Sequence, residues 1–418
     1  MNNHTSPLDG LRKQALDQVI PYFSEIDQIA ERNTRRVLAA FRQCQVSDYH
    51  FRSTSGYGYN DVGRDKLDEV YAALFGAEKA LVRSHFVSGT HALAAALFGV
   101  LRPGDELVAV TGTPYDTMQS VIGYPDLVPG SLCEWGIKYR EVSFGCQGID
   151  YEGIRTSLTD NTKLVLIQRS RGYSMTRPSL RVSEIAEICS FIKELKKDCI
   201  CFVDNCYGEF VETTEPTAAG ADLMAGSLIK NMGGGLAPAG GYIAGRADLV
   251  DLASFRLTAP GIGSHVGATL FDNRLLYQGL FFAPHVVAQA VKGAVFAAAL
   301  FSLMGYHTTP KYHENRTDII QAIELGSAEK MIAFCQGLQA FSPVDAFVKP
   351  EPGSMPGYID RVIMAGGTFV QGSTIELSAD GPIRPPYCVY LQGGLTFEHA
   401  LIGIMGAAEA LLENNPIS

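Results

Sequence analysis

Charge is scarce in this sequence. Charged residues make up 19% of its 418 positions, below the roughly 25% of an average soluble chain. The charge present leans acidic, with 34 Lys plus Arg against 44 Asp plus Glu and a net of −10. Such an anion is not built to neutralise nucleic-acid phosphates or to sit on an anionic bilayer. A local basic pocket for a small anionic ligand stays open. Paired cysteines are also lacking. The nine cysteines are scattered, and none form a C-x-x-C pair. That removes the short fixed spacings of a zinc cluster and leaves reduced thiols in a cytoplasmic protein as the expectation. The opening MNNHTSPLDGLRKQ has no basic-then-apolar pattern, which predicts no signal peptide. There is no Gly-x-x-x-x-Gly-Lys-[Ser/Thr] P-loop and no well-placed Gly-x-Gly-x-x-Gly, so nucleotide and nicotinamide binding lack their usual signatures. Long hydrophobic runs are few. The one at 286–306 is interrupted by Gln289 and Lys292, and its clean stretch from Gly293 to Met304 is too short to span a bilayer. A buried helix is predicted there. His307, His313 and Glu314 lack tight ligand spacing and read as a surface loop.

Apolar material is plentiful. Hydrophobic residues make up 46% of the chain, enough to offset chain entropy and exclude a disordered protein. At about 150 residues per domain, two to three units are expected. Residues 11–43 have helical spacing through Leu11, Leu16, Val19 and Ile20, and Pro21 is expected to split them into two helices. The stretch TSGYGYNDVGR at 54–64 reads as a loop. Short apolar runs at 80–82, 106–110, 163–168, 200–204, 224–229 and 241–244 then alternate with helical patterns. This predicts parallel strands with crossover helices, an α/β layer fold. Runs at 361–365, 368–370, 374–378 and 388–391, separated by Gly and Pro, predict an antiparallel sheet, with a last helix over 396–412. The division expected is a helical segment (1–55), a large α/β domain (56–300) and a small C-terminal α+β domain (301–418).

Three short stretches carry chemistry. Ser88, Gly89 and Thr90 stand between an apolar run and an Ala/Leu-rich helix. A turn into a helix start exposes free N–H groups and suits a phosphate, although Ser and Thr are also ordinary caps. Asp204 ends an apolar run, at the strand edge where ligands of open parallel sheets bind; a helix cap or a surface acid is the plain alternative. Lys230 ends the next run and faces Gly233–Gly235. Burial would lower its ammonium pKa and free a nucleophilic amine, whereas an exposed strand-end lysine would do nothing. The glycines would form a mobile lid or pack closely around a ligand. Together the three supply a phosphate cradle, an acid for a ring nitrogen and an amine for a Schiff base. Pyridoxal phosphate needs all of these.

At these residues the chain resembles the fold-type I pyridoxal-phosphate enzymes, and most closely the methionine γ-lyase-like family, also called aluminium resistance proteins. The resemblance covers roughly residues 10–412. It is carried by GYGYNDVGRD at 56–65, SGTHA at 88–92, VDNCYGEF at 203–210, SLIKNMGGGLAPAGGYIAG at 227–245 and DGPIRPPY at 380–387. It implies an aspartate aminotransferase-like fold with a mainly parallel central sheet. It also implies a carbon–sulfur lyase acting on a sulfur-containing amino acid by α,γ- or α,β-elimination. The same cofactor serves aldolases, racemases and aminotransferases, and a binding protein without turnover is a further alternative. By resemblance, Lys230 would hold pyridoxal 5′-phosphate as a Schiff base and later take the α-proton. Asp204 would keep the ring nitrogen protonated. Ser88, Gly89, Thr90 and Ser227 would hold the phosphate. Tyr115 would stack on the ring and protonate a leaving thiolate. Tyr59 and Arg64 would reach the neighbouring subunit's phosphate site, with Tyr57 the alternative to Tyr59 because the spacing to Arg64 is longer than in the known γ-lyases. Arg384 would bind the substrate α-carboxylate. Active sites shared between subunits imply a homodimer or a dimer of dimers.

Overall fold

A computed structural model describes residues 7–144 and 148–414. The chain opens with helix α1 (Pro7–Gln43), which runs unbroken through Pro21. The expected split does not occur. Proline costs a helix interior about 3 kcal/mol. Here Leu8, Ala15 and Val19 before it, and Val37 and Ala40 after it, are all buried, and burial of each large apolar side chain contributes about 1.5–3 kcal/mol. Asn33 adds an anchor, donating from Nδ2 to the Phe210 and Glu212 carbonyls at 2.8 and 3.1 Å.

Then come α2 (Val62–Phe75), β1 (Lys79–Arg83), α3 (Gly89–Val100), β2 (Glu106–Ala109), α4 (Asp116–Ile122), β3 (Lys138–Glu141), α5 (Tyr151–Ser157), β4 (Thr162–Gln168), α6 (Val182–Leu195), β5 (Ile200–Asp204), β6 (Leu223–Ser227), β7 (Gly241–Gly245) and α7 (Ala247–Leu257). The seven strands form one sheet in the order β1-β7-β6-β5-β4-β2-β3. Only β7 is antiparallel to its neighbours. The expected mainly parallel central sheet is thus present. β3 has no apolar run, because Lys138-Tyr-Arg-Glu141 is a largely exposed edge strand, and charge blunts an edge.

Helix α8 (Arg274–Leu303) leads to a second sheet. It is long and apolar enough to cross a membrane, yet 78% of its most apolar window is buried inside the protein. After it come β8 (His307–Thr309), β9 (Gln321–Glu324), α9 (Ala328–Gln339), β10 (Val362–Ala365), β11 (Ser378–Pro382), β12 (Cys388–Gln392) and α10 (Phe397–Asn414). The five strands are antiparallel, in the order β10-β11-β12-β9-β8. Two expected strands, 368–370 and 374–378, are not formed. The buried Glu376 carboxylate accepts from the Phe369 and Val370 N–H groups at 2.9 and 2.8 Å. A side chain thus takes the donors that a partner strand would need. The strand begins at Ser378 instead and runs into Gly381 and Pro382, which propensity disfavours.

The glycines after Lys230 are packing residues. A Cβ on Gly234 would run into the Gly279 carbonyl of α8, and a Cβ on Gly279 would run into the Gly233 carbonyl. Gly234 and Gly235 also have φ of +53° and +77°. The chain leaving the lysine is therefore pressed backbone to backbone on α8.

Behind β5–β7 lies a buried polar chain. Arg169 donates to Asn205 Oδ1 at 2.7 Å and pairs with Glu215 at 3.3 Å. Asn205 donates to the Tyr242 hydroxyl at 3.2 Å, which donates to Glu209 Oε1 at 2.7 Å. Burial pushes the Glu209 carboxyl up to about 8.

Two outcomes follow from this packing. Gly279→Ala lowers the unfolding free energy in a denaturant titration by about 1–3 kcal/mol through overpacking. Gly10→Ala, with open space around it, is neutral or stabilises by up to about 1 kcal/mol. For Glu209 the folded state binds the extra proton between the ordinary carboxyl pKa and about 8. Its contribution to stability is therefore full below the ordinary value and is lost as pH rises toward 8. In thermal melts from pH 5 to 8, Glu209→Gln flattens this decline. An unchanged slope contradicts the assignment.

Candidate active site

The register of the sheet sets the site. Gln168 at the end of β4 pairs with Asp204 at the end of β5, and Asp204 pairs with Ala225 of β6. The carboxyl edges of three parallel strands thus open on one side, where open α/β sheets bind ligands. Beyond β6, Lys230 enters the same space. Helix α3 starts there too, after β1. Its cap is Ser88, whose Oγ accepts from the His91 N–H at 3.1 Å. The N–H groups of Gly89 and Thr90, in the first turn, have no carbonyl one turn back to bond to. Gly89 permits a close approach, since a Cβ there would lie 3.2 Å from Ser227 Cβ and 3.4 Å from Cys206 Sγ.

A cavity of about 310 Å³ unites Ser88, Gly89, Thr90, Tyr115, Asp204, Ser227 and Lys230. Seven of the residues singled out in the sequence therefore share one space. Ser227 Oγ is buried in it with no hydrogen-bond partner, an acceptor and donor left for a ligand.

The Lys230 ammonium lies 3.7 Å from the centroid of the Tyr207 ring, a cation–π arrangement. The Tyr207 backbone has φ +72°, which costs a bulky residue of order 1–3 kcal/mol. Asn231 Nδ2 holds that conformation by donating to the Tyr207 carbonyl at 3.0 Å and the Glu209 carbonyl at 2.8 Å. Asp204, 7% exposed, accepts from the Cys206 N–H at 3.1 Å. Burial raises its pKa, and Lys230 works against that rise. The lysine departs from the sequence expectation. Burial does lower its pKa, but the Cys206 thiol, the Tyr207 hydroxyl and the Asp204 carboxylate together outweigh burial and hold it above the ordinary value. Without a ligand the group is an ammonium.

Tyr115 precedes α4, and its N–H donates to Gln168 Oε1 at 2.7 Å. Its hydroxyl lies 2.5 Å from that of Tyr358, and burial pushes its pKa well up. It is therefore a neutral proton donor at ordinary pH. Tyr173, Tyr358, Tyr390 and Asp380 complete the lining of this cavity. Of these, Asp380 begins the quoted DGPIRPPY stretch, and the three tyrosines carry no local signal.

The remaining predicted residues lie elsewhere. Tyr57 and Tyr59 are 73% and 66% exposed and stack on each other with centroids 5.4 Å apart. Arg64 is buried and donates to the Gly58 and Gly267 carbonyls at 3.0 and 2.9 Å, fixing the loop that carries those tyrosines. Tyr59 and Arg64 line a separate cavity. Arg384 lines an adjoining cavity that shares Tyr115 and Tyr173 with the first, and pairs with Asp360 at 2.7 Å. Arg177, missed in the sequence, lines that cavity too and donates to the Thr113 and Arg171 carbonyls. Among the described residues no group of three or more His, Cys, Asp or Glu is arranged to hold a metal ion.

The sequence model of the methionine gamma-lyase family matches residues 8–412. The uncharacterized protein YnbB of Bacillus subtilis strain 168 is 51% identical over 412 residues, 97% of this chain and 98% of that protein. The solved structure of a carbon-sulfur lyase involved in aluminum resistance from Clostridium novyi NT aligns with a TM-score of 0.91 at 51% identity, covering 96% of this chain and 95% of that one. A Clostridium acetobutylicum protein, provisionally assigned as a cystathionine beta-lyase involved in aluminum resistance, aligns at 0.94 with 53% identity, covering 97% and 95%. In fold alone the chain also matches the pyridoxal-5′-phosphate dependent protein YhfS of Escherichia coli, with a TM-score of 0.61 at 16% identity, covering 93% and 97%. With these neighbours, the architecture is that of fold-type I pyridoxal-phosphate enzymes. The chain belongs to the methionine gamma-lyase family.

Proposed function

We propose that this protein is a pyridoxal-phosphate-dependent carbon–sulfur lyase that cleaves a sulfur-containing amino acid by α,γ- or α,β-elimination. The observation that carries the reading is one cavity holding a lysine amine, a buried carboxylate and a helix start with free N–H groups and an unpartnered serine hydroxyl. These residues fit the cofactor. Ser88, Gly89, Thr90 and Ser227 would take the phosphate, Asp204 the ring nitrogen, and Lys230 the aldehyde carbon. When bound, pyridoxal phosphate supplies an electron sink that stabilises negative charge on the substrate's α-carbon. Asp204, facing the ring nitrogen, would hold the Lys230 proton less firmly and so favour the free amine. Lys230 Nζ, as a free amine, would take the substrate's α-proton. Tyr115 hands its hydroxyl proton to the departing sulfur. Arg384 would bind the α-carboxylate by exchanging Asp360 for it, since a guanidinium fork suits either carboxylate. The exposed pair Tyr57 and Tyr59, on the loop that Arg64 fixes, would complete a neighbouring subunit's phosphate site in a dimer or a dimer of dimers.

The test is release of keto acid, ammonia and thiol from a panel of sulfur amino acids. Lys230→Ala abolishes turnover. Asp204→Asn lowers kcat by roughly 100- to 1000-fold, the scale of a lost electrostatic stabiliser. Tyr115→Phe lowers it by roughly 100-fold, as for loss of a general acid. Full activity in Lys230→Ala, or transamination products in place of thiol, contradicts the reading.

A further inference from the structure

One stretch of the Lys230 cavity wall is aromatic. The Tyr173 ring centroid lies 5.2 Å from that of Tyr115, 6.0 Å from Tyr358 and 5.0 Å from Tyr390, and Asp380 lines the cavity with them. Tyr358 meets Tyr115 edge to face, with centroids 6.1 Å apart and ring planes at 85°. That orientation turns hydroxyl to hydroxyl, and the two oxygens lie 2.5 Å apart, the short end of the range for an O–H···O bond.

The two phenols come from distant parts of the chain, and each side is held. Tyr115 is fixed from the large sheet, its N–H donating to Oε1 of Gln168, the last residue of β4, at 2.7 Å. Gln168 is fixed in turn by donating from Nε2 to the Ser170 carbonyl at 3.0 Å. Tyr358 stands on the loop before β10. Gly353 and Val362 exchange two backbone hydrogen bonds of 2.9 Å and close that loop. Inside it the Tyr358 N–H donates to the Met355 carbonyl at 3.2 Å, and Asp360 pairs with Arg384 at 2.7 Å. The loop rests on α4 at Gly357, whose φ is +85° and where a Cβ would lie 3.2 Å from Thr117 Cγ2. A loop held at these points presents the Tyr358 oxygen at a set place, as a positioned hydrogen bond requires.

The chemistry calls for a partner at that place. When Tyr115 hands its proton to sulfur, the negative charge stays on its oxygen. Burial disfavours a phenolate there unless it is hydrogen-bonded. An oxygen that has lost its proton can only accept. Whichever hydroxyl donates in the resting pair, Tyr358 is then the donor, in a charge-assisted bond.

We propose that Tyr358 is the positioning residue of the proton donor, fixing the Tyr115 oxygen and donating to it as the proton leaves for sulfur. The role rests on the lyase reading above. The carbon–sulfur bond breaks and sulfur keeps the electron pair. The Tyr115 O–H bond breaks and an S–H bond forms. The charge left on the Tyr115 oxygen is held by the Tyr358 O–H. The ammonium of the next substrate, which must lose a proton before its nitrogen can attack, restores the Tyr115 O–H bond. Nothing is oxidised or reduced. Tyr115 touches the substrate, and Tyr358 acts through it.

Tyr358→Phe keeps the ring and removes the donor. For a substrate with an alkyl thiolate leaving group, kcat falls by roughly 10- to 100-fold, the scale of a hydrogen bond to a charged group, with KM little changed. When the same amino acid carries a nitrophenyl thiolate, which leaves without a proton, the fall largely disappears. A merely structural role slows both substrates alike. In a Tyr115→Phe background, Tyr358→Phe adds little, because residues acting as one unit are not additive. A readout without cofactor or turnover is the proton NMR spectrum of the cofactor-free protein. The short bond gives a hydroxyl proton shifted far downfield in the wild type, and this resonance is missing in Tyr115→Phe and in Tyr358→Phe. Equal slowing of the two leaving groups, a loss confined to KM, additive effects in the double variant, or a downfield resonance kept in Tyr358→Phe overturns the role. A downfield resonance with no thiol release from the wild type instead sinks the lyase reading, and the role with it.

Discussion

An ammonium inside a protein needs partners, and the architecture around Lys230 is arranged to supply them. One is the face of Tyr207, 3.7 Å away at its centroid; the other is Asp204 at the end of the adjacent strand. Each partner has its own requirement. Tyr207 adopts a left-handed backbone held by Asn231, one residue past the lysine. Asp204 is buried at the edge where β4 and β5 end in register and β6 runs two residues further. The lysine itself is aimed by a chain that leaves over glycines pressed on α8. The parallel sheet, the long apolar helix and the strained turn are thus conditions for a single charge to sit where it does.

The same geometry assembles an anion site at a helix start. Helix α3 starts beside Ser227, and a Cβ on Gly89 would crowd the Ser227 side chain at 3.2 Å. Free N–H groups of a helix start favour a phosphate by hydrogen bonding and by the helix dipole. Among the described residues no arginine lines the Lys230 cavity; the guanidiniums of Arg177 and Arg384 stand in the adjoining one. The two cavities share Tyr115 and Tyr173, so a ligand that fills both meets the tyrosine wall between its ends.

How much of this was legible in the sequence depends on distance along the chain. Ser88, Asp204 and Lys230 each sit where an apolar run stops, and strand ends of a parallel sheet converge by topology, so local reading was enough to group them. The Asp380 wall was not legible, because Tyr173, Tyr358 and Asp380 meet only when the second sheet folds against the first. Local rules also failed in two places where tertiary packing won. α1 continues through Pro21 because both halves bury the same face. The segment at 368–370 forgoes a strand because Glu376 satisfies its N–H groups. The direction of the Lys230 pKa was misjudged from burial alone, since its neighbours are other titratable groups.

The central claim is that Lys230 carries pyridoxal phosphate. It is tested most directly by the visible spectrum of the purified protein before and after borohydride, with peptide mapping of the reduced adduct. The account predicts a visible band that borohydride abolishes and a label on Lys230. A colourless protein that also fails to take up added pyridoxal phosphate, or a label on another lysine, would contradict it.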